Sequence, residues 1–292
     1  MSSTVDAPRL SGNRLGDRLR HAPPLSALLA YGFLGLMCVV AVTGALLTPA
    51  SPTDQDLAAR LMPPFWQAGG SLEHILGTDQ LGRDLLSRIM VGARTTLAIG
   101  VATAALEALI GVPLGLTAGY FGGRLERVIM SLTDIQMGFP AALLIIFIVL
   151  VLGPGPVVLT VAMGINGWMI FTRLTRVTVR SLKTSGFVTA SVVAGGSHRF
   201  IMRHHLMPHL RGPLLAVFLL EVPRMILAES VMSFIGLGVQ PPTISWGLLI
   251  GGSRDLIAVA YWLSLFPGLA IVFTVVSLYL VSNDLAARRA RL

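Results

Sequence analysis

The sequence predicts an all-α, polytopic membrane protein with six transmembrane helices, and three observations carry that reading. Of the 292 residues, 54% are hydrophobic and 12% charged, about half the ~25% charge of a soluble domain. Mean hydropathy is +0.76. Six windows hold the ~20 mostly apolar residues that a helix needs to cross a bilayer. The cationic residues fall unevenly on alternate connections between these windows. The same composition excludes a water-soluble enzyme of ordinary make-up and a disordered chain.

The first window, Leu25 to Leu47, follows a polar segment, 1–24, that carries Arg9, Arg14, Arg18 and Arg20. Charge followed by apolar residues is the order of a signal peptide. The apolar stretch, however, exceeds the ~7–15 residues of a signal core, and Thr48-Pro49-Ala50 is a weak cleavage site, so a retained anchor is expected. A polar loop, 48–92, comes next. Further windows lie near Thr95 to Ala118, Val128 to Leu152, Pro156 to Thr172, Pro213 to Leu237 and Ile257 to Val281, and a short tail, 285–292, ends the chain. The 31 glycines and 17 prolines would break up a soluble fold, but membrane helices tolerate them because small residues allow close packing.

With the N-terminus inside, 16 of the 22 Lys and Arg residues face the cytoplasm, five (Arg60, Arg83, Arg88, Arg94 and Arg254) face outside, and Arg224 sits within a helix. This positive-inside bias places both termini in the cytoplasm and 48–92 outside. It also accounts for the +8 net charge without nucleic acid, since no basic stretch is interleaved with aromatics. Lys183 is the only lysine and no Gly-Lys-Ser or Gly-Lys-Thr occurs, so if ATP drives this protein another chain binds it. The lone Cys38 excludes an intrachain disulfide and a cysteine-based zinc site.

The connection 182–211, LKTSGFVTASVVAGGSHRFIMRHHLMPHLR, is basic and has no acid. Phe187, Ala190, Val193 and Ala194 share one helical face, and Gly195-Gly196 then offers a break where positive φ costs little. Ile201, Leu206 and Met207 continue an apolar side as far as Pro208. A cytoplasmic knob for another protein's groove and a basic helix lying on anionic headgroups both fit this pattern. His198, His204, His205 and His209 do not form a metal set: neighbours diverge by ~100° on a helix and no acid or cysteine completes them. The 12 methionines read as core packing.

Ionisable residues within the windows are Glu107, Asp134, Glu221, Arg224 and Glu229, each costing at least ~2.5 kcal/mol at the bilayer centre on insertion scales. Glu221 and Arg224, at i and i+3, can pair. Glu229 points elsewhere and is expected to need a partner on another helix. These groups either line a hydrated cavity or pair at helix interfaces. Outside, Asp79, Arg83 and Asp84 form an ion-pair cluster that either shapes the mouth of a pathway or orders a loop. Pro241-Pro242 cannot continue a helix, and Trp246 suits the membrane interface.

The 182–211 segment resembles the EAA loop of permease subunits in ATP-binding-cassette importers. That pattern is Glu-Ala-Ala, three residues, Gly, and a Leu-Pro-Asn ending about thirteen residues after the Gly. Thr189, Ala190, Ser191, Gly195, Met207, Pro208 and His209 occupy those places; Ala190, Gly195 and Pro208 match, while Thr189, Ser191 and His209 replace the Glu, an Ala and the Asn. LGTDQLGRDLLSR, which contains Asp79, Gly82, Arg83 and Asp84, LAESVMSFIGLGVQPPTISWG (227–247), FPG (266–268) and GYFGGRLERVIMSLTDIQMGFP (119–140) are similar to the second permease subunit of dipeptide, oligopeptide and nickel importers. The tail departs: Asn283-Asp284 and basic residues stand where that family has a Gly-Asp-Gly-Leu-Arg-Asp run.

The resemblance implies a type I importer permease core of five helices over 93–284 in a bacterial inner membrane, and half of a pathway for peptides or for nickel and other metal chelates. It implies a homologous second permease, two ATPase subunits that bind ATP and Mg, and an extracytoplasmic substrate-binding protein as partners, with no cofactor or catalytic residue in this chain. Thr189, Ala190, Ser191, Gly195 and Pro208 would couple to the ATPases. From the residues alone, a proton-coupled secondary transporter using Glu107, Asp134 or Glu229 stays open. An intramembrane protease has neither a Gly-x-Ser-x-Gly elbow nor a paired-aspartate motif to support it.

Overall fold

A computed structural model describes residues 25–289. The N-terminal arginines Arg9, Arg14, Arg18 and Arg20, and Arg291 of the tail, lie outside the described residues, as does the placement of both chain ends. The described chain is helical: α1 (Leu25–Leu47), α2 (Leu85–Phe121), α3 (Gly123–Met137), α4 (Ala141–Leu152), α5 (Pro156–Gly167), α6 (Met169–Lys183), α7 (Gly186–Val193), α8 (Met207–Phe234), α9 (Trp246–Ser253) and α10 (Trp262–Arg289). Thr78 and Asp84 make an isolated antiparallel bridge.

Among the described residues, four helical stretches are long and apolar enough to cross a membrane: 25–44, 85–121, 156–183 (α5 running into α6) and 262–285. The expected window from Val128 to Leu152 is not one helix. It breaks at Gly138-Phe139-Pro140 into α3 and α4, bent by 85°, and the pair counts as a fifth span only if joined. Pro140 has no N–H to continue the α3 ladder. α4 alone has 12 residues, ~18 Å, short of the ~30 Å hydrocarbon core. The expected fifth span is α8, and any 18-residue stretch of it contains three of Arg211, Glu221, Arg224 and Glu229, so length and composition do not by themselves mark it as a span. Among the described residues the expected six spans are therefore matched by four, or five with the bent pair, and α8 is long enough but too charged to be counted on composition.

Boundaries also shift. α2 starts at Leu85 rather than near Thr95, taking 85–92 out of the expected loop, because the Asp84 carboxylate accepts the Ser87 N–H at 2.7 Å and caps the helix. α10 starts at Trp262 after a turn over 254–261, later than expected. α2, with 37 residues, ~55 Å long, is the axis of the bundle and packs along α6, α8, α5 and α1. Its contact with α6 is set by Gly111, Gly115 and Gly119: a Cβ there would lie 2.3 Å from Trp168 O, 2.4 Å from Thr172 O and 2.8 Å from Arg176 O. Matching steps of four on both helices let the backbones touch, the small-residue packing of membrane bundles.

Candidate functional site

At the end of the bundle where α2 and α6 terminate, α7 buries one residue. Val188, 1% exposed, packs with Tyr120 of α2, Val179 of α6, and Ile201, Leu206 and Leu210. The face expected to be apolar, Phe187, Ala190, Val193 and Ala194, is turned out; Val193 is 84% exposed. Thr189 is exposed and Ser191 half-buried. α7 closes in a Schellman motif: Gly196 N–H donates to Ser191 O at 2.9 Å and Gly195 N–H to Val192 O at 3.0 Å, with Gly195 at φ +79° and open space where a Cβ would be.

Beyond it the chain is helical from His198 onward, through a π-helical stretch, Ile201–Leu206, into α8. Pro208, expected to stop an apolar helix, follows that stretch instead. The Met207 N–H reaches back five residues to Met202 O, the wider turn that a proline without an N–H allows. The histidines are taken up locally. His209 stacks on Phe187 at 4.9 Å and His204 on Phe200 at 4.6 Å, and His198 Nδ1 lies 2.9 Å from Tyr120 Oη. Among the described residues no group of three or more His, Cys, Asp or Glu converges. Lys183 Nζ donates to Tyr120 O at 2.7 Å, tying the end of α6 to the end of α2.

Beside this end runs a ladder that sequence reading missed. Arg176 and Arg180 of α6 pair with Glu126 of α3, and Arg173 pairs with Asp134 at 2.5 Å. Asp134 is thus not a buried intramembrane acid; its side chain is 64% exposed. The i, i+3, i+7 spacing of Arg173, Arg176 and Arg180 against two acids eight apart was the available signal.

At the opposite end, 48–84 folds on itself. Asp79 Oδ1 accepts the Leu81 and Arg83 N–H groups at 2.8 and 3.1 Å, and Oδ2 accepts Arg83 Nε at 2.7 Å. Asp84 caps α2 and meets His74 Nδ1 at 3.0 Å. Gly82 has φ +73°, and a Cβ would fall 1.7 Å from Asp56 O, so its place requires glycine twice over. Arg88, one turn into α2, donates Nη1 to Pro52 O at 3.1 Å, while its Nε, 3.5 Å from Asp79 Oδ2, is buried without a hydrogen bond. The expected cluster thus forms in part: Arg83 pairs with Asp79, which Arg88 also approaches, while Asp84 makes no ion pair with Arg83 and turns instead to His74 and the start of α2.

Between the ends, Glu107 of α2 is fully buried with neither oxygen hydrogen-bonded, beneath Gly167, where a Cβ would overlap Oε1 at 1.7 Å. Glu221 accepts Arg224 Nη1 at 3.1 Å on both oxygens, the pairing expected from the i, i+3 spacing, but Arg224 remains half exposed. Glu229 finds partners within its own helix and, as expected, beyond it, in Ser245 at the N-cap of α9. It accepts Ser233 Oγ at 2.7 Å within α8 and lies beside Ser230 at 3.4 Å, while Ser233 Oγ accepts the Val239 N–H at 3.0 Å. That relay pins the chain as it leaves α8 toward Pro241-Pro242, and the spacing Glu-Ser-x-x-Ser before a glycine turn was its sequence signal.

Apolar spans gathered on one long axis, a self-ordered loop at one end and a helix turned outward at the other define a polytopic membrane subunit. Residues 111–291 match the family described as binding-protein-dependent transport system inner membrane component. The chain is 37% identical over 253 residues, 87% of its length and 84% of the relative's, to the di/tripeptide transport system permease protein DppC of Pseudomonas aeruginosa. It is 35% identical to the nickel transport system permease protein NikC of Escherichia coli K12, over 89% of this chain and 92% of that one. A solved structure of the MetNI methionine ABC transporter, in inward facing conformations, has a chain that superposes with a TM-score of 0.54 at 19% identity, covering 71% of this chain and 95% of that one, and so shares the fold. The chain belongs to the family of binding-protein-dependent transport system inner membrane components.

Proposed function

We propose that this chain is one of two permease subunits of an ATP-driven importer, forming half of the pathway for short peptides. The observation that carries the reading is α7: a short helix closed by a Schellman glycine, anchored by the buried Val188 and the Phe187–His209 stack, and holding Ala190, Val192 and Val193 outward. Apolar groups displayed on a basic segment fit a partner's groove. ATPase subunits docked there would bind and hydrolyse ATP with Mg, and their closure would push α7. The ladder from Arg173 to Glu126 and the Gly111–Gly119 contact would pass that push to α2. Such coupling requires ATP to bind the two states with different affinity. Thr189, Ala190, Ser191, Gly195 and Pro208 are the coupling residues in this account. A substrate-binding protein would deliver solute at the 48–84 end. Relatives named for dipeptides and for nickel support peptides first and metal chelates second.

The test is purification with the neighbouring gene products. ATPases should come with the chain, and transport in liposomes should stop with vanadate and survive collapse of the proton gradient. The reverse pattern would favour a proton-coupled carrier, for which buried Glu107 is the feature of interest. For orientation, with Cys38 replaced, cysteines at the exposed Glu73 and Asp255 should label from outside and one at Ser197 only after permeabilisation. Ser245 is buried and would report poorly.

A further inference from the structure

A cavity of about 550 Å³ opens between the Asp79 cluster and the loop that follows α8. Its two walls differ in chemistry. One carries Arg83, Arg88 and Asp79, with Gln55 and Gln80 beside them; the other is formed by Pro241, Pro242, Ile244, Leu248, Leu249 and Leu263. Clefts of ~300–1,000 Å³ with mostly apolar lining and a few convergent polar groups are the usual form of small-ligand sites.

The polar wall is short of one acid. Asp79 is already committed, with two backbone N–H groups on Oδ1 and Arg83 Nε on Oδ2. Arg88, 7% exposed, donates Nη1 to Pro52 O and pairs with Asp79 across 3.5 Å, but its buried Nε makes no hydrogen bond. Each guanidinium offers five donors, so two cations share one carboxylate whose oxygens are already engaged, and one buried donor, Arg88 Nε, makes no hydrogen bond. A planar anion that accepts paired N–H bonds is the group that completes such a site.

We propose that this cavity binds a short peptide by its free C-terminal carboxylate, held by Arg83 and Arg88, with the peptide's apolar side chain against Ile244, Leu249 and Leu263. The inference rests on reading the chain as an importer permease with this end outside. It places a solute station in the permease itself, at the mouth of the pathway. A lone loop-ordering ion pair does not account for Arg88, which is buried beside a cavity with a donor to spare.

The experiment uses the intact complex in nanodiscs without binding protein or nucleotide, and equilibrium dialysis of labelled Gly-Leu and of its C-terminal amide. Gly-Leu should bind saturably, and the amide at least tenfold more weakly. Arg88→Gln should bring Gly-Leu to the level of the amide and leave the amide unchanged. Because Arg88 also holds Pro52, a second variant guards against misfolding. Gly252→Leu, where an added Cβ meets nothing within 4 Å, should fill the cavity and abolish binding of both probes while membrane abundance stays normal. Equal binding of acid and amide, no saturable binding, or binding unaffected by Gly252→Leu would overturn the proposal. So would uptake that appears only with the docked binding protein and ignores amidation, which would make the cavity a protein contact. Co-purification of the ATPases is scored in the same preparation, so failure of the importer reading is seen separately from failure of this site.

Discussion

Residues 56–84 and residues 186–206 are both irregular connections next to long helices, and they treat their side chains in opposite ways. In 56–84 the polar groups answer one another. Thr78 N–H donates to Met62 O at 3.0 Å, Leu61 N–H to Asp79 O at 3.0 Å, and the Asp79 and Asp84 carboxylates are each engaged by several donors. In 186–206 Val188, Ile201 and Leu206 are buried, and the remaining apolar side chains of α7 are exposed. The first region is held in place by its own hydrogen bonds; the second, anchored by Val188, Ile201 and Leu206, leaves the apolar face of α7 to be covered by something else. Order built from satisfied polar groups marks a fixed rim, and apolar groups held out on a capped helix mark a contact.

The comparison breaks most visibly at Gly82. Gly82→Ala introduces a left-handed non-glycine residue, ~1–3 kcal/mol, and an overlap with Asp56 O that the backbone must move to relieve. The total should exceed ~3 kcal/mol and lower membrane abundance several-fold, scored by immunoblot. Abundance equal to wild type would mean the loop is not rigid.

Ala190→Asp should do the reverse, leaving the chain intact and removing the contact. Ala190 is exposed, so folding and pairing with a second permease should persist. A charge in a partner's groove costs several kcal/mol, ~100-fold or more in docking at 1.4 kcal/mol per decade. ATPase retained on an affinity column with the chain is the readout, and undiminished retention would assign α7 to the lipid surface. Gly195→Asp should act similarly, through strain at φ +79° as well as bulk.

A smaller effect sharpens the account within the bundle. Glu221 is buried while Arg224 is half exposed, so the coupling between them should be ~1 kcal/mol or less, below the 3–5 kcal/mol of a fully buried pair. A double-mutant cycle with Glu221→Gln and Arg224→Ala, read by thermal denaturation in detergent, measures it. A coupling of several kcal/mol would show that Arg224 is enclosed in the assembled transporter.

Much of this was legible in the sequence, for reasons tied to particular residues. Composition gave the class because lipid demands runs of apolar residues. Gly195 was readable as a helix stop, since only glycine takes that φ cheaply, and Glu221 and Arg224 as a pair, since i, i+3 fixes their geometry. The 85° bend at Gly138–Pro140 was hidden because hydropathy averages over a break. The apolar stripe of α7 was legible from periodicity, but that only Val188 would turn inward was not, because periodicity does not say which side the chain itself covers. Pairing at a helix interface, one of the two roles open to these charges, is what Asp134 finds in Arg173, and Glu229 is held by Ser245 beyond its helix as well as by Ser230 and Ser233 within it, serines that no charge pattern points to. The cavity beside Arg88 depends on residues more than 150 apart in sequence, and no local pattern encodes that meeting.

Hydrogen–deuterium exchange tests the contrast between the two ends most directly. The chain would be purified with its second permease and compared with and without the ATPase subunits. Local opening free energies are read amide by amide. The account predicts that amides of 187–196 slow at least tenfold when the ATPases are present, while those of 77–84 exchange slowly in both samples and do not change. Unchanged exchange across 187–196, or protection gained equally at 77–84, would contradict it.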